Sequence, residues 1–455
     1  MNHRRFSISI SDQDWQKLKK GLFTSDRKEN AAALLCGISD FNGERRLLVR
    51  RVVPVPDDLY IQKLEYHLEV SPRFYNSIVS ECLRIGGQPV IVHSHPMNTD
   101  ARYSPSDDFG ELRLLPVLES LIPESTPASL LVAFKDLIGR RLIEREFHNI
   151  DAFRIVGSRT RIITSARKNQ TESMTSQRYE RQIRAFGVEG QQQLQTLRVA
   201  IVGVGGTGSL VAEQMVRAGI TNFLVIDNDR IEESNVNRLF GSTMSDVGAY
   251  KTTVIASALR GLGAEASEIQ ESAIKQSVLM QLRDRDLIFS CVDNDRSRAI
   301  LSRFAYQYLI PVIDVGVRLD GRAGHVKAAA GRVSVVGAGL SCLRCSHHLS
   351  PERIRAESLP ESEREKLEKE GYIMGITEPA PAVVSLNAVV ASLAATAGLN
   401  MFVNLTGGLQ PLDQLYDATT GTVFITNPQH ESECDICDPD IGVKGLGDKQ
   451  IVSAY

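Results

Sequence analysis

The feature that most constrains this chain is a glycine-rich turn set between an apolar run and a helical one. Arg198–Val202 reads as a buried strand, Gly203-Val-Gly-Gly-Thr-Gly208 follows, and Ser209–Ala218 has helical spacing ahead of a second apolar run, Asn222–Asp227. A strand that ends in glycines and opens into a helix gathers bare backbone N–H groups and the positive end of the helix dipole at one point. Such a turn suits a phosphate, with Gly203, Gly205, Gly206 and Gly208 allowing the close approach. Asp227 ends the second strand where a carboxylate can hydrogen-bond ribose hydroxyls. The alternation continues with Lys251–Leu262 as helix, Asp286–Val292 as strand, Ser297–Tyr308 as helix and Pro311–Val317 as strand. Strands alternating with helices predict an α/β fold with a doubly wound sheet.

The 455 residues exceed what one core usually serves. Residues 158–178 are polar and nearly free of large apolar side chains, so the expected division is a first domain at 1–157, a linker at 158–176 and a second domain at 177–455. In the first, Ala31–Ile38, Leu47–Val53, Val90–His93, Ser129–Phe134 and Arg141–Phe147 read as strands and Pro72–Ile85 as the one clear helix. With 52 Lys plus Arg against 55 Asp plus Glu, no charge excess points to nucleic acid. Met1–Trp15 lacks the apolar run of a signal peptide, so a cytoplasmic protein is expected. Ala380–Leu405 carries no charge and is long enough to span a bilayer. Its Ser385, Asn387, Ser392, Thr396 and Asn400 among small residues predict a helix buried in the second domain, with no membrane partner. The charge-dense stretch Leu359–Gly371 reads as a solvated helix or mobile crossover.

Taken alone, the glycine turn would suit an NAD-dependent oxidoreductase. The residues after it argue otherwise, because Arg238 and Lys251 place two cations near the phosphates. Nucleotidyl transfer, unlike hydride transfer, builds negative charge there. Asp293, following a strand, is placed to hold Mg²⁺. The run from Arg178 resembles the Rossmann-like adenylation domain of the ubiquitin-activating superfamily, which includes sulfur-carrier adenylyltransferases. The matching elements are Arg-Tyr-Glu-Arg-Gln-Ile at 178–183, the glycine turn, Asp227-x-Asp229, Ser-Asn-x-Asn-Arg at 234–238, Lys251 and Asp293. The resemblance covers roughly residues 176–440. It implies ATP and Mg²⁺, with the C-terminal glycine carboxylate of a ubiquitin-like protein attacking the α-phosphate. By it, Asp227 and Asp229 serve the nucleotide, Asn235, Arg238 and Lys251 the phosphates and Asp293 the metal, while Arg181 reaches into the site of a second subunit in a homodimer. Leu239 departs from the glutamine common in the family, at the expense of one polar contact.

Cys342-x-x-Cys345 and Cys434-x-x-Cys437 have the spacing of a four-thiolate structural zinc site. Cys36, Cys82 and Cys291 lie in apolar settings and read as inert buried thiols. Activating enzymes that form thioesters carry a nucleophilic cysteine in the crossover after the first zinc pair. Residues 346–433 contain none, so this chain is expected to stop at the adenylate or pass it to a thiol elsewhere.

His93-Ser-His95-Pro closes an apolar strand, so both imidazoles project from one side, two residues apart. With Asp107 they make two histidines and a carboxylate, which leaves a zinc position open for catalysis. The motif resembles that of the JAB/JAMM metallopeptidases, whose α/β domain has the size of residues 1–155 and which cleave after the terminal glycine of ubiquitin-like proteins. The resemblance implies His93, His95 and Asp107 as zinc ligands, Ser104 as a stabiliser of the tetrahedral intermediate and an upstream glutamate as general base. Glu29 is the first choice for that base and Glu44 a weaker one. The two resemblances together imply a bifunctional enzyme that trims or deconjugates a ubiquitin-like protein and adenylates its glycine. The alternative is sulfur-carrier maturation for cofactor or amino-acid synthesis. A conjugating enzyme would be the further partner in the first case and a sulfurtransferase in the second.

Overall fold

A computed structural model describes residues 4–164, 177–322, 325–360, 362–364, 370, 381–408 and 410–449. The chain divides into two compact units, one formed by Met1–Ser173, Gln307–Leu309 and Lys444–Gln450 and the other by the remainder.

The first unit runs β1 (Arg5–Ser11), α1 (Asp12–Leu22), β2 (Ala31–Phe41), β3 (Glu44–Pro54), β4 (Tyr60–Lys63), β5 (Leu68–Val70), α2 (Pro72–Ile85) and β6 (Gln88–His95). It continues with α3 (Pro105–Leu121), β7 (Ala128–Ala133), β8 (Leu137–Ile143), β9 (Glu146–Asn149), β10 (Ala152–Val156) and β11 (Arg161–Thr164). Nine strands form one sheet in the order β11-β10-β1-β3-β2-β6-β7-β8-β9, and β4 and β5 pair separately. Strand periodicity of two distributes β2 between two cores. Ala32, Leu34 and Cys36 join Trp15, Leu18 and Leu22 of α1 on one face. Ala31, Ala33 and Leu35 join Phe74 and Ile78 of α2 and Leu118 of α3 on the other.

Among the described residues three helices cover this sheet, where the sequence pattern shows one clear helix. Helix α3 escapes the pattern because Phe109, Val117 and Leu121 are exposed and Gly110 and Pro116 interrupt it. It starts through its cap instead: Ser104 accepts from the Asp107 N–H, and the Asp107 carboxylate accepts from the Ser104 N–H. Arg141–Phe147 is two strands rather than one, since Glu144 and Arg145 take positive φ (49° and 68°) and turn the chain between β8 and β9. The expected linker starts later than residue 158, because β11 pairs antiparallel with β10; positions 165–176 lie outside the described residues.

The second unit begins with α4 (Glu180–Thr196), β12 (Arg198–Val202), α5 (Gly206–Ala218), β13 (Asn222–Ile226), α6 (Lys251–Gly261), β14 (Glu265–Ile269), α7 (Gln276–Gln281) and β15 (Leu287–Ser290). Then come α8 (Asp295–Tyr308), β16 (Val312–Arg322), β17 (His325–Val336), α9 (Pro351–Ser358), α10 (Val384–Val403), β18 (Asp413–Asp417) and β19 (Thr422–Thr426). The sheet order is β14-β13-β12-β15-β16-β17-β18-β19, parallel through β16 and antiparallel beyond. The doubly wound half follows the sequence reading, and the antiparallel half extends it. The uncharged stretch is α10, which packs against α4, α5, β16 and β17. It is long and apolar enough to cross a membrane, but 61% of its most apolar window is buried. At Gly398 a Cβ would lie 2.8 Å from the Phe289 ring, so this helix is apolar because protein covers it. Most of Leu359–Gly371 lies outside the described residues.

Candidate functional sites

The glycine turn sits where β12 meets α5. Gly203 adopts φ +84°, and a Cβ on Gly208 would fall 1.9 Å from the Gly203 carbonyl oxygen, so strand end and helix start touch backbone to backbone. Asp227, at the end of β13, accepts from the N–H groups of Val204 and Asp229, both at 2.9 Å. Burial raises its pKa against the opposing pull of Lys251 and these N–H groups. Lys251 is the first residue of α6, and its Nζ donates to Asp229 at 2.7 Å. Arg238 is held by the Ser234 carbonyl and by Asn237, and its stem packs over Gly206. Asn235 closes a short capping box with Glu232. Leu239 is buried, so this position serves packing.

Asp293 lies exposed after β15. A buried charge cluster steadies its loop: Arg298 donates from Nη2 to the Val292 carbonyl at 2.5 Å and from Nη1 to Asp314 at 2.6 Å. Asp314 also accepts from Arg332 and from Ser290. Burial would raise its pKa, but the two guanidinium groups hold it below the usual carboxylate range. Cys291 is pushed up to about 12 by burial, which leaves it a thiol and a poor nucleophile. Arg181 is exposed on α4.

The four paired cysteines converge, all buried, with one sulfur from each lying within 4.8 Å of the others. Cys342 and Cys434 are 3.8 Å apart and Cys345 and Cys437 3.5 Å. A tetrahedral ion with Zn–S of about 2.3 Å requires S···S edges of about 3.8 Å, so the donor set fits zinc. The Glu431 N–H and the Arg344 guanidinium, each at 3.4 Å, donate to Cys345 and Cys434 and offset thiolate charge. Cys434→Ser is expected to lose the ion and lower the thermal midpoint by about 10 °C or more, at about 3 °C per kcal/mol for a unit of this size. Calorimetry beside zinc analysis checks this; an unchanged midpoint in a zinc-free variant would contradict a structural role.

In the first unit β6 is buried along its whole length. Ile91 faces the α2–α3 side, so alternation places His93 and His95 on that side, toward the first turn of α3. His93 Nε2 is 3.2 Å from Asp107, and His95 Nε2 is 3.5 Å from Asp107 and 3.4 Å from Glu29. His93 Nε2 and His95 Nδ1 are buried without a hydrogen bond of good geometry. The three residues offer ligand atoms within 4.8 Å of one another, and the orphaned His93 nitrogen faces that group, so the set fits a divalent ion.

Glu29 reaches this point through a link between strands. The Ser94 hydroxyl, between the two histidines, accepts from the Asn30 N–H at 3.0 Å, and the Ser94 N–H donates to the Asn30 carbonyl. Burial raises Glu29 to about 7, partly opposed by His93. Asp107 is pushed up by burial yet lies well below the usual range through His93 and its bonds from Ser104. A pocket of about 250 Å³ opens here, lined by Glu29, His95, Met97, Asn98, Arg102 and Ser104 among others. Ser104 is in the wall, but its hydroxyl is engaged by Asp107 at 2.8 Å. Glu44 is not in this site: its carboxylate is buried against Ser7, Arg46 and Arg154, which removes it as a candidate base.

The model of the ThiF family matches residues 179–436, more than half of the chain. The chain belongs to the ThiF family. Ubiquitin-like modifier-activating enzyme 5 of Oryza sativa subsp. japonica is 30% identical over 155 residues, 31% of this chain and 37% of that protein. The Rattus norvegicus enzyme of the same name is 30% identical over 206 residues, 41% of this chain and 50% of its own. The chain thus spans half or less of the length of these curated relatives. The crystal structure of E. coli MccB with MccA-N7isoASN superimposes with a TM-score of 0.48 at 20% identity, over 58% of this chain and 76% of that one. The glycine turn, Asp227, Arg238, Lys251, Asp293 and both cysteine pairs except Cys437 fall within the ThiF-family match. His93, His95 and Asp107 lie outside it.

Proposed function

We propose that this ThiF-family protein is a bifunctional enzyme acting on a ubiquitin-like protein. Residues 177–455 adenylate its terminal glycine with ATP and Mg²⁺, and residues 1–157 hydrolyse the bond after that glycine. The observation that carries the reading is the presence, in one chain, of the ThiF-family nucleotide turn and the His93–His95–Asp107–Glu29 cluster. Relatives named as activating enzymes of ubiquitin-like modifiers support a partner of that class.

In the adenylation step a glycine carboxylate oxygen attacks the α-phosphorus, the α–β phosphoanhydride bond breaks, and pyrophosphate leaves with the bonding pair. Asp227 and Asp229 position the nucleoside, Asn235 is assigned to the phosphates, and Arg238 and Lys251 offset the charge that builds on them. Asp293 would hold Mg²⁺, and Arg181 would serve the site of a second copy in a homodimer. In the hydrolytic step one water is added across an amide, giving the glycine carboxylate and a free amine. A zinc ion on His93, His95 and Asp107 would supply Lewis acidity. Glu29 takes the proton from water and returns it to the leaving nitrogen, a role that its place beside His95 in the pocket wall suits. Ser104 orients Asp107 through its hydroxyl and N–H, so its effect on catalysis runs through that ligand.

Maturation of a sulfur carrier is the second reading, favoured by the absence of cysteine from residues 346–433. Intact-mass analysis of a small β-grasp partner after incubation with ATP separates the cases. An adenylate that a sulfurtransferase converts to a thiocarboxylate supports the sulfur-carrier reading, and one that a conjugating enzyme passes to an amine supports the first. No adenylate with any such partner would count against both.

A further inference from the structure

Within α10 the apolar pattern is broken at Asn387, which is 4% exposed. Asparagine is a poor residue for a helix interior and costly to bury unless its amide is bonded. The other buried asparagine of this helix meets that requirement: Asn400 accepts from the Thr406 N–H and hydroxyl, both at 3.1 Å. Among the described residues, the Asn387 side chain has no such hydrogen bond, while its backbone N–H donates to the Val383 carbonyl. Its amide instead lies at the glycine turn. A Cβ built on Gly206 would stand 2.5 Å from Asn387 Nδ2 and 3.1 Å from the Arg238 stem, so asparagine and arginine converge on the first residue of α5. That residue opens the helix whose free N–H groups face the phosphate position.

We propose that the Asn387 amide donates a hydrogen bond to a phosphate oxygen of the bound nucleotide, beside Arg238; this rests on the adenylation reading above. The amide of a buried residue, standing at the mouth of a phosphate turn, is then bonded by the ligand. The absence of a side chain at Gly206 is explained as well, since any Cβ there would displace the amide.

The test is calorimetric titration of the full-length protein with Mg²⁺ and the non-hydrolysable analogue AMPPCP, and separately with adenosine. Asn387→Ala is expected to weaken AMPPCP about tenfold or more, the effect of losing one hydrogen bond to a charged group, with adenosine binding unchanged. Asn387→Asp, which keeps the shape and reverses the electrostatics, is expected to weaken it further. A packing role alone would move both ligands together or lower the thermal midpoint without separating them. Equal AMPPCP affinity in wild type and Asn387→Asp would overturn the contact and leave the adenylation reading standing. A folded wild type that binds no AMPPCP would overturn both.

Discussion

Glu29→Gln is expected to reduce cleavage after the terminal glycine by about 10²–10⁴-fold, the range for removing a positioned general base. The substitution keeps the shape and removes the charge, so His93, His95 and Asp107 should still bind one zinc ion and ATP-dependent activity should persist. Glu29 lies 3.4 Å from His95 and lines the pocket, and burial pushes its carboxyl above the usual range. His95→Ala is the companion variant and should lose both the ion and the cleavage. Cleavage of a glycine-linked fusion of a ubiquitin-like protein, followed by mass spectrometry with zinc content measured alongside, distinguishes them. Full activity in Glu29→Gln would remove Glu29 as base, and full activity in His95→Ala would remove the peptidase altogether.

The second large effect belongs to Lys251. Its ammonium is 2.7 Å from Asp229, with Asp227 on the neighbouring strand end. Lys251→Met would leave these carboxylates facing the triphosphate with one cation fewer. The resulting loss in pyrophosphate exchange is expected at about 10²–10³-fold, as for removal of one charge-stabilising donor. Asp293→Ala should produce a comparable loss that excess Mg²⁺ partly restores, as expected of a residue proposed to act through the ion. Lys251→Met should show no such rescue. If Lys251→Met exchanges pyrophosphate as fast as wild type, the cation is not part of the adenylating site.

Local signals made some of this legible in the sequence. The glycine turn, the strands on either side of it and the two cysteine pairs depend on residues close in the chain, and they occur where the pattern places them. Glu29 could be preferred only by its place before a buried strand; what brings it to His95 is the Asn30–Ser94 link, a pairing across strands that no local pattern displays. Helix α3 was hidden because its exposed face carries Phe109, Val117 and Leu121, which blurs amphipathic periodicity although its cap was present in Ser104-Pro-Ser-Asp107. The splitting of Arg141–Phe147 into two strands depends on two non-glycine residues with positive φ, a conformation that neither Glu144 nor Arg145 announces. Asn387 gave no functional signal in sequence, since its meaning depends on α10 lying against α5.

ATP–pyrophosphate exchange with small β-grasp proteins, each offered with an extended and with a pre-trimmed C-terminus, tests most directly whether both activities serve one substrate. The account predicts exchange by wild type with both forms of the true partner. With His95→Ala it predicts exchange only with the trimmed form, and with Asp293→Ala a severe loss with either. Exchange by His95→Ala with the extended form at the wild-type rate would contradict it, as would a wild type that exchanges with neither form.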